Sequence, residues 1–297
     1  MPAPPQDPTG QLPPPPGVAA ALSPVVSGVM RIAMRVVLVV IAALTCVGAL
    51  GGLGVLAFQI AGSRVVTDAQ TLPAGMRTLG IDSRDAPTVV RVVTDPSADE
   101  SRVEVRMVTR TGASPLVVEA GDAGARVAVD GSGSRFLGFN SGAELTIRLT
   151  PDVARELSVT VHQRAGSLSV GADLDRLVAK ADNASVTLGG SAHVVDVEVG
   201  TGDISTSTGI AVTEAFRAST ESGGASVQLH TAPRTTEVLA TGNVTVKLPG
   251  PGPYRVRAET DMTHGATTVS VPETTDPGAP EVTAHSKNGD VQVVEIG

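Results

Sequence analysis

The chain has 297 residues, a formal net charge of −8 and few aromatic side chains: no Trp, one Tyr and four Phe. Residues 64–297 hold 29 of the 30 acidic side chains, and they lack the clustered cations that binding to nucleic acid or anionic lipid requires. The scarcity of aromatic rings also removes the platforms on which bases or sugars stack. The composition therefore argues against a nucleic-acid partner.

The first 30 residues form a proline-rich tail. They contain nine prolines, four of them consecutive at 13–16, and neither Lys nor Arg. Proline removes backbone donors and favours extended polyproline II, so we expect residues 1–30 to be disordered and cytoplasmic. A plain spacer is the simpler interpretation. The alternative, a ligand for a proline-binding module, lacks the usual basic flank.

A long apolar segment follows, and we assign residues 31–63 to one transmembrane helix with a basic flank. Residues 36–62 contain no charged side chain, and a helix of that length covers a bilayer core. Arg31 and Arg35 precede the segment and Arg64 follows it, so the positive-inside rule predicts a cytoplasmic N-terminus and an extracytoplasmic C-terminal region. The alternative is a cleaved signal peptide, whose apolar core is usually about 7–15 residues.

The apolar segment contains one cysteine and a pair of glycines that bear on disulfides, lipidation and oligomerisation. Cys46 is the sole cysteine, so residues 64–297 contain no disulfide, and the residues before it do not match a lipoprotein signal. We interpret it as a buried structural cysteine.

Gly48 and Gly52 form a GxxxG pattern, which permits helix dimerisation, although glycine is also simply tolerated in membrane spans. A homo-oligomer could form through these glycines or through strand edges.

The rest of the chain is organised by an internal repeat. Each repeat unit is a short alternating strand, a turn with Gly or Asn, and a second alternating strand. The intervals between successive units are 19, 19, 20, 21, 18 and 27 residues. Units 1 to 7 begin at Leu157, Arg176, Val195, Ala215, Thr236, Tyr254 and Glu281.

Period-2 alternation assigns side chains to faces, because successive strand residues point to opposite sides. The inward residues are mostly small or β-branched, which suits a narrow interior. In the first strands they include Leu177, Val195, Val197, Phe216, Val238, Val256 and Val282, and in the second strands Val186, Val227, Val244, Val269 and Val291.

The pattern predicts an all-β ectodomain over residues 75–297, after a linker at 64–74. We expect a β-solenoid-like stack of units of about 20 residues, each unit lying on the next in parallel. In the alternative, a hairpin array, Thr241–Gly242 and Asn288–Gly289 would be tight antiparallel turns. Looser strands before residue 157 would cap one end of the stack, and the proline-interrupted C-terminal region would cap the other.

The run AELTIRLTPDVARELSVTVHQRAGSLSV and the repeated Gly-Asp-Ile, Gly-Asn-Val and Gly-Asp-Val turns resemble DUF4097, an adhesin-like family of β-strand-repeat domains. The resemblance covers most of the ectodomain. It implies a β-solenoid-like fold, an envelope location and an adhesin role without an established ligand, and it supplies no functional residues. The irregular intervals around residues 249–253 and 272–280 depart from the family pattern and suggest loops.

No motif for catalysis, cofactor binding or metal binding is present, and the five histidines are scattered. We therefore expect no enzyme, no cofactor and no metal. Asp173, Asp175, Asp203 and Asp290 lie at or near turns where calcium could bind. The simpler interpretation is that they are solvated and bond their own backbone.

One outward surface is a candidate binding site. Stacked units would align the outward side chains of the second strands into a hydroxyl-rich stripe, able to bind an extended envelope polymer or another protein. Alternatively, Ser and Thr simply make a soluble strand face. The candidate residues are Ser185, Thr187, Ser205, Ser207, Ser226, Gln228, Thr245, Thr268 and Ser270, with Ser167, Ser169 and Lys247 in equivalent positions.

The sequence thus predicts a single-pass, envelope-exposed protein of the cell membrane that acts by non-catalytic binding. The alternative is an accessory sensor or regulator of an envelope-stress system, since one span would join the ectodomain to a cytoplasmic tail. That tail has no helical or enzymatic motif through which it would transmit a signal, which argues against the regulatory alternative.

Overall fold

In a computed structural model of the protein, the described residues are 38, 39, 41, 45, 64–84, 86–109, 116–121, 123–129, 135–136, 139–140 and 142–296. The predicted disordered tail lies outside them, as do Cys46, Gly48 and Gly52. Of the predicted membrane span, four residues are described, and all are helical and exposed: Leu38, Val39, Ile41 and Thr45. Within the described part of the chain, no helix has the length and apolarity needed to cross a membrane.

The chain divides into two units, Met1–Phe58 and Gln59–Gly297, and the second is nearly all β. Its elements are β1 (Arg64–Thr71), β2 (Thr78–Ser83), β3 (Thr88–Thr94), β4 (Arg102–Thr109), β5 (Leu116–Ala120), β6 (Gly124–Val129), β7 (Arg135–Phe136), β8 (Phe139–Asn140), β9 (Ala143–Leu149), α1 (Pro151–Arg155), β10 (Ser158–Thr201), β11 (Ile204–Ser222), β12 (Ala225–Gln228), β13 (Thr235–Ala240), β14 (Val244–Pro249), β15 (Arg255–Thr260), β16 (Thr267–Ser270), β17 (Glu281–Ser286) and β18 (Val291–Ile296).

Strands of successive repeat units pair in parallel. β10 is a single run of 44 residues that returns alongside itself, and Lys180 Nζ donates to the Glu198 carboxylate 18 residues later at 3.0 Å. β10 pairs with β11, β11 with β12 and β13, and β12 with β14, all in parallel. The two strands on either side of Gly242, β13 and β14, pair with β17 and β18 instead of with each other. The turns predicted in the hairpin alternative are therefore corners between strands of one unit.

The core lies where the alternation places it. Val195, Val197 and Phe216 are at most 1% exposed, and most inward positions of the other units are buried as well. Val256 and Val269, both in unit 6, are only half-buried, although they pack against the same core. Small and β-branched side chains predominate in this interior, alongside Phe216 and several Leu residues.

Glycine and Asp or Asn stack at one corner of successive units. Gly223 has φ +150°, and a Cβ there would lie 2.1 Å from the Gly202 carbonyl oxygen of the preceding unit. Only glycine accommodates both the backbone conformation and this close approach. The Gly-Asp-Ile and Gly-Asn-Val turns therefore mark places where one unit lies directly on the next.

The last two units do not stack in chain order. β17 of unit 7 lies between β13 of unit 5 and β15 of unit 6, and β18 lies between β14 and β16 in the same way. The expectation that each unit stacks on its predecessor is wrong here. Strands β17 and β18 bury Val282, Ala284, Val291 and Val293, whereas β15 and β16 bury none of their side chains fully. The more apolar unit therefore occupies the interior position, and the 27-residue interval supplies the chain needed to cross over.

At the N-terminal end, too, the order of strands in the sheet differs from their order in the chain. β2 and β3 pair with β10, while β6 and β9 pair on the far side of β2 and β3. Beyond them the sheet continues antiparallel, with β5 on β6 and β4 on β9. β1 then pairs with β4 over its full length. Residues 64–74, expected to be a linker, thus contain β1, one of the two edge strands at this end.

Candidate functional site

The parallel registers align four of the predicted stripe residues. Thr187 pairs with Ser205, Ser205 with Ser226, and Ser226 with Thr245. Neighbouring strands lie about 4.8 Å apart, so one hydroxyl recurs at each step along this line. We call Thr187, Ser205, Ser226 and Thr245 the hydroxyl stripe.

The stripe continues differently from the sequence prediction. Thr245 pairs with Gln292, and Gln292 in turn pairs with Thr268. Because unit 7 is inserted between units 5 and 6, the exposed Gln292 side chain separates Thr245 from Thr268. The sequence prediction placed Thr268 next to Thr245 because it assumed that unit 6 follows unit 5 in space, and it did not include Gln292.

The remaining candidate residues lie beside the stripe. Ser185 immediately precedes Val186, which pairs with Ile204, so Ser185 is level with the corner at Asp203. Ser207 lies where the β10–β11 register shifts between Leu188 and Gly190.

A second line of outward residues is less uniform than the stripe. Gln228 pairs with the cationic Lys247, and Ser270 pairs with Val294. The structure therefore brings four of the nine predicted residues into one uninterrupted line.

Two of the four stripe hydroxyls, those of Ser226 and Thr245, have no partner among the described residues, and the other two make long contacts. Thr187 Oγ1 and Ser205 Oγ lie 3.4 Å apart, and Ser205 Oγ also approaches the Val186 carbonyl at 3.5 Å. In the part of the chain that the structure describes, neither Ser226 nor Thr245 has a side-chain hydrogen bond. All four side chains are exposed or half-exposed. Chemically, the stripe offers a row of uncharged donors and acceptors to a ligand in solvent.

The outward face of the first strands is charged and largely self-paired. Lys180 bonds Glu198 at 3.0 Å, and Arg217 lies 3.4 Å from Glu237 in the next unit. The hydrogen bond to Glu198 raises the pKa of Lys180. We call these four residues the charged face.

A tighter charged group lies towards the N-terminal end. The Asp82 carboxylate contacts Arg84 at 2.6 Å and Arg126 at 3.2 Å, and its side chain is only 16% exposed. The hydrogen bond from the Arg84 side chain, supported by Arg126, holds the pKa of Asp82 well below its usual range despite the opposing effect of burial. Both arginines neutralise this one carboxylate, so the arrangement is that of a structural ion cluster.

The corner carboxylates bond the backbone of the neighbouring unit. Asp203 Oδ1 accepts the Gly224 N–H at 2.8 Å, and Asp290 Oδ1 accepts the Ala266 N–H at 2.8 Å. Between them, Asn243 Oδ1 accepts the Asp290 N–H at 3.0 Å. The prediction that Asp203 and Asp290 bond their own backbone is therefore wrong, because stacking places the N–H of another unit within reach.

The two other turn aspartates also bond neighbouring side chains. Asp173 Oδ1 accepts the Ser191 hydroxyl at 2.8 Å, and Asp175 Oδ1 lies 3.1 Å from His193 Nδ1. Over the described ranges, no group of three or more His, Cys, Asp or Glu is arranged to hold a metal ion.

Comparison with known proteins gives distant similarities in fold. No protein-family model matches the sequence, and no curated protein matches it. Among solved structures, the chain is similar to a putative adhesin from Parabacteroides distasonis (13% identity, 78% of this chain and 97% of that chain, TM-score 0.45). It is also similar to a putative adhesin from Bacteroides fragilis (12%, 78% and 97%, TM-score 0.43) and to a putative lipid binding protein from Parabacteroides distasonis (11%, 78% and 97%, TM-score 0.33). Similarities this weak establish neither a ligand nor an activity.

Proposed function

We propose that the protein acts by non-catalytic binding of an extended envelope polymer or protein along the hydroxyl stripe. The observation that carries the proposal is the register of Thr187, Ser205, Ser226 and Thr245, which places four uncharged polar side chains in one line across four units. A ligand with repeated polar groups would contact several units at once. No pocket is required for such contacts.

The energetics favour distributed binding. A single exposed hydrogen bond contributes on the order of 1 kcal/mol or less in net terms. Affinity would therefore come from several units of one molecule, or from many molecules in one membrane. The charged face is a poorer candidate because its groups already pair with one another between units.

We also propose that the fold is β-solenoid-like and related to DUF4097, and that the β region lies in the cell envelope. The parallel registers and the stacked Gly-Asx corners support the solenoid-like interpretation.

The apolar residues 36–62 and the flanking Arg31 and Arg35 support a single uncleaved span with the β region outside the cytoplasm. Protease added to intact spheroplasts would then digest the β region and spare the N-terminal tail. Survival of the β region, or release of a soluble product beginning near Arg64, would contradict this topology.

The binding proposal is tested with two matched triple variants of the full chain, immobilised through an N-terminal tag. The first variant, Ser205→Ala/Ser226→Ala/Thr245→Val, removes three stripe hydroxyls and keeps side-chain shape. The second, Glu198→Gln/Arg217→Gln/Glu237→Gln, neutralises three of the four residues of the charged face in the same region. Each is exposed to soluble polysaccharide and protein fractions of the native envelope, and bound mass is measured by biolayer interferometry.

We expect the stripe variant to lose most binding and the charged-face variant to bind like the unmodified chain. Each single stripe substitution should weaken binding only slightly. Unchanged binding by the stripe triple variant would contradict the proposal. Complete loss from one folded single variant would instead reveal a localised site, and turnover of the polymer would reveal an enzyme.

A further inference from the structure

The C-terminal end of the sheet leaves a strand edge open. Within the described ranges, β15 pairs with β17 on one side only. Its other edge is covered at Tyr254, whose N–H donates to the Pro272 carbonyl and whose carbonyl accepts the Thr274 N–H, both at 2.9 Å. A free edge of this kind is a template for another strand.

The backbone of β15 shows which groups face this edge. The Arg255 N–H donates to the Pro280 carbonyl at 2.9 Å, on the β17 side, whereas Tyr254 bonds on the opposite side. Because hydrogen-bonding direction alternates along a strand, Val256, Ala258 and Thr260 direct their backbone N–H and C=O groups out of the free edge. These three residues supply the hydrogen bonds for an incoming strand.

The solvent-facing side chains of this segment carry charge in a self-complementary order. Arg255 and Arg257 precede Ala258, and Glu259 and Asp261 follow it. Arg255 contacts Glu281, and Asp261 lies 3.1 Å from His285. Arg257 and Glu259 are exposed, and neither forms an ion pair with any described residue. A partner with the opposite order of charge would pair with both.

A second copy of the same strand has that order when it runs antiparallel. Pairing about Ala258 places each Arg257 opposite the other copy's Glu259, and opposite charges across two strands attract. Pairing about Arg257 or about Glu259 would instead set that residue against its own copy, which repels. The backbone allows all three registers, and the charges favour the one centred on Ala258.

The core side of β15 fits the same register. Val256 and Ala258 are half-buried apolar side chains at the end of the core. In the antiparallel pair, Val256 lies opposite Thr260, and Ala258 lies opposite Ala258 of the second copy. The second copy therefore covers apolar surface that is partly exposed to solvent in the single chain. Beside this edge, a groove of about 810 Å³ lies between the first half of β15 and residues 273–275.

We propose that two copies of the chain join end to end, with their β15 strands paired antiparallel about a two-fold axis at Ala258. β1 lies at the opposite end of the sheet, so the two β1 strands lie at the far ends of the pair. One consequence rests on the membrane anchorage proposed above: with an anchor preceding each β1, the pair would connect two facing membranes.

The test is disulfide trapping in the full chain, purified in mild detergent. Cys46→Ser removes the native thiol, and Ala258→Cys introduces one at the axis, where directly paired Cα atoms lie about 5.5 Å apart, within disulfide reach. Mild oxidation should give a covalent dimer on a non-reducing gel. The same background with Ser219→Cys, a half-exposed position away from the edge, should give none.

Charge reversal makes the test specific. Arg257→Glu alone, or Glu259→Arg alone, sets like charges opposite each other twice in the pair, and each should lower the dimer yield about tenfold. An equimolar mixture of the two variants, carrying different tags, should restore the yield as a mixed dimer, because each reversed side chain then faces its opposite. Restoration also shows that both variants are folded.

Absence of a dimer with Ala258→Cys would overturn the proposal. So would a yield that both charge reversals leave unchanged, or one that the mixture fails to restore. Trapping of a different cysteine-containing protein at this position in cells, without the self-pair, would assign the edge to another occupant. None of these outcomes depends on the hydroxyl stripe or on membrane insertion.

Discussion

The charged face and the hydroxyl stripe lie on the same units, over the same core, yet they use their polar groups differently. On the charged face, Lys180 pairs with Glu198 and Arg217 with Glu237, each in the neighbouring unit. On the stripe, Ser226 and Thr245 have no side-chain hydrogen bond within the described part of the chain. Polar side chains that are aligned across stacked units can therefore pair with one another, as on the charged face, or remain available to a ligand, as on the stripe. The second arrangement favours binding.

The largest expected effect comes from the core that both faces share. Val197 is fully buried, so Val197→Asp should cost several kcal/mol of unfolding free energy because the charge has no partner, and Val197→Ala about 1–3 kcal/mol. Thr187→Asp, on the stripe, should be nearly neutral. Chemical denaturation of the full chain checks this. Equal midpoints for the two Asp variants would mean that the assignment of faces is wrong.

A smaller effect is expected at the corner that joins the two faces. Gly223→Ala should destabilise by about 1–3 kcal/mol, because its backbone is left-handed and the new methyl group meets the Gly202 carbonyl. Gly171→Ala is the control, since a Cβ there meets no atom within 4 Å. Thermal unfolding of both variants should show a lower melting temperature for Gly223→Ala alone. The reverse order would contradict close stacking at this corner.

The smallest of these effects separates the Asp82 ion cluster from the hydroxyl stripe by the pH dependence of unfolding. The pKa of Asp82 is lowered in the fold by Arg84 and Arg126, so its contribution to stability is present above the usual value of 3.8 and is lost as the pH falls below it. Asp82→Asn should therefore be less stable than the unmodified chain at pH 7, and the gap should narrow below pH 3.8.

The stripe has no titrating side chain, so the Ser226→Ala stability difference should stay constant over the same range. Denaturation midpoints measured from pH 7 downward distinguish the two variants. A gap for Asp82→Asn that widens in acid would contradict the ion cluster.

Local periodicity predicted the faces well, because it depends only on the alternation along each strand. Val186, Val197 and Val227 are buried as predicted, and Thr187 and Ser226 point outward. The parallel pairing of Ser226 with Thr245 also follows from the nearly constant interval between units. The all-β class and the central part of the stripe were therefore accessible from sequence.

The order of units at the two ends was not accessible in the same way. Alternation says which side of a strand is buried but not which strand lies beside it, and Val256 and Val282 occupy equivalent positions in the pattern. Unit 7 takes the interior place since Val282 and Ala284 can be fully buried there. The 27-residue interval was a signal of this crossover. The antiparallel strand β1 carried no such signal, because it lies outside the repeat.

The most direct test of binding through the stripe is photo-crosslinking in the cells that produce the protein. A photoreactive residue is placed in the full chain at Ser226, on the stripe, or at Ser219, on the outward side of the first strand of the same unit. The two positions share residue type and unit but not face. We predict envelope adducts from Ser226 that disappear when Ser205 and Thr245 are also replaced, and few from Ser219. Equal adducts from both positions, or more from Ser219, would contradict binding through the hydroxyl stripe.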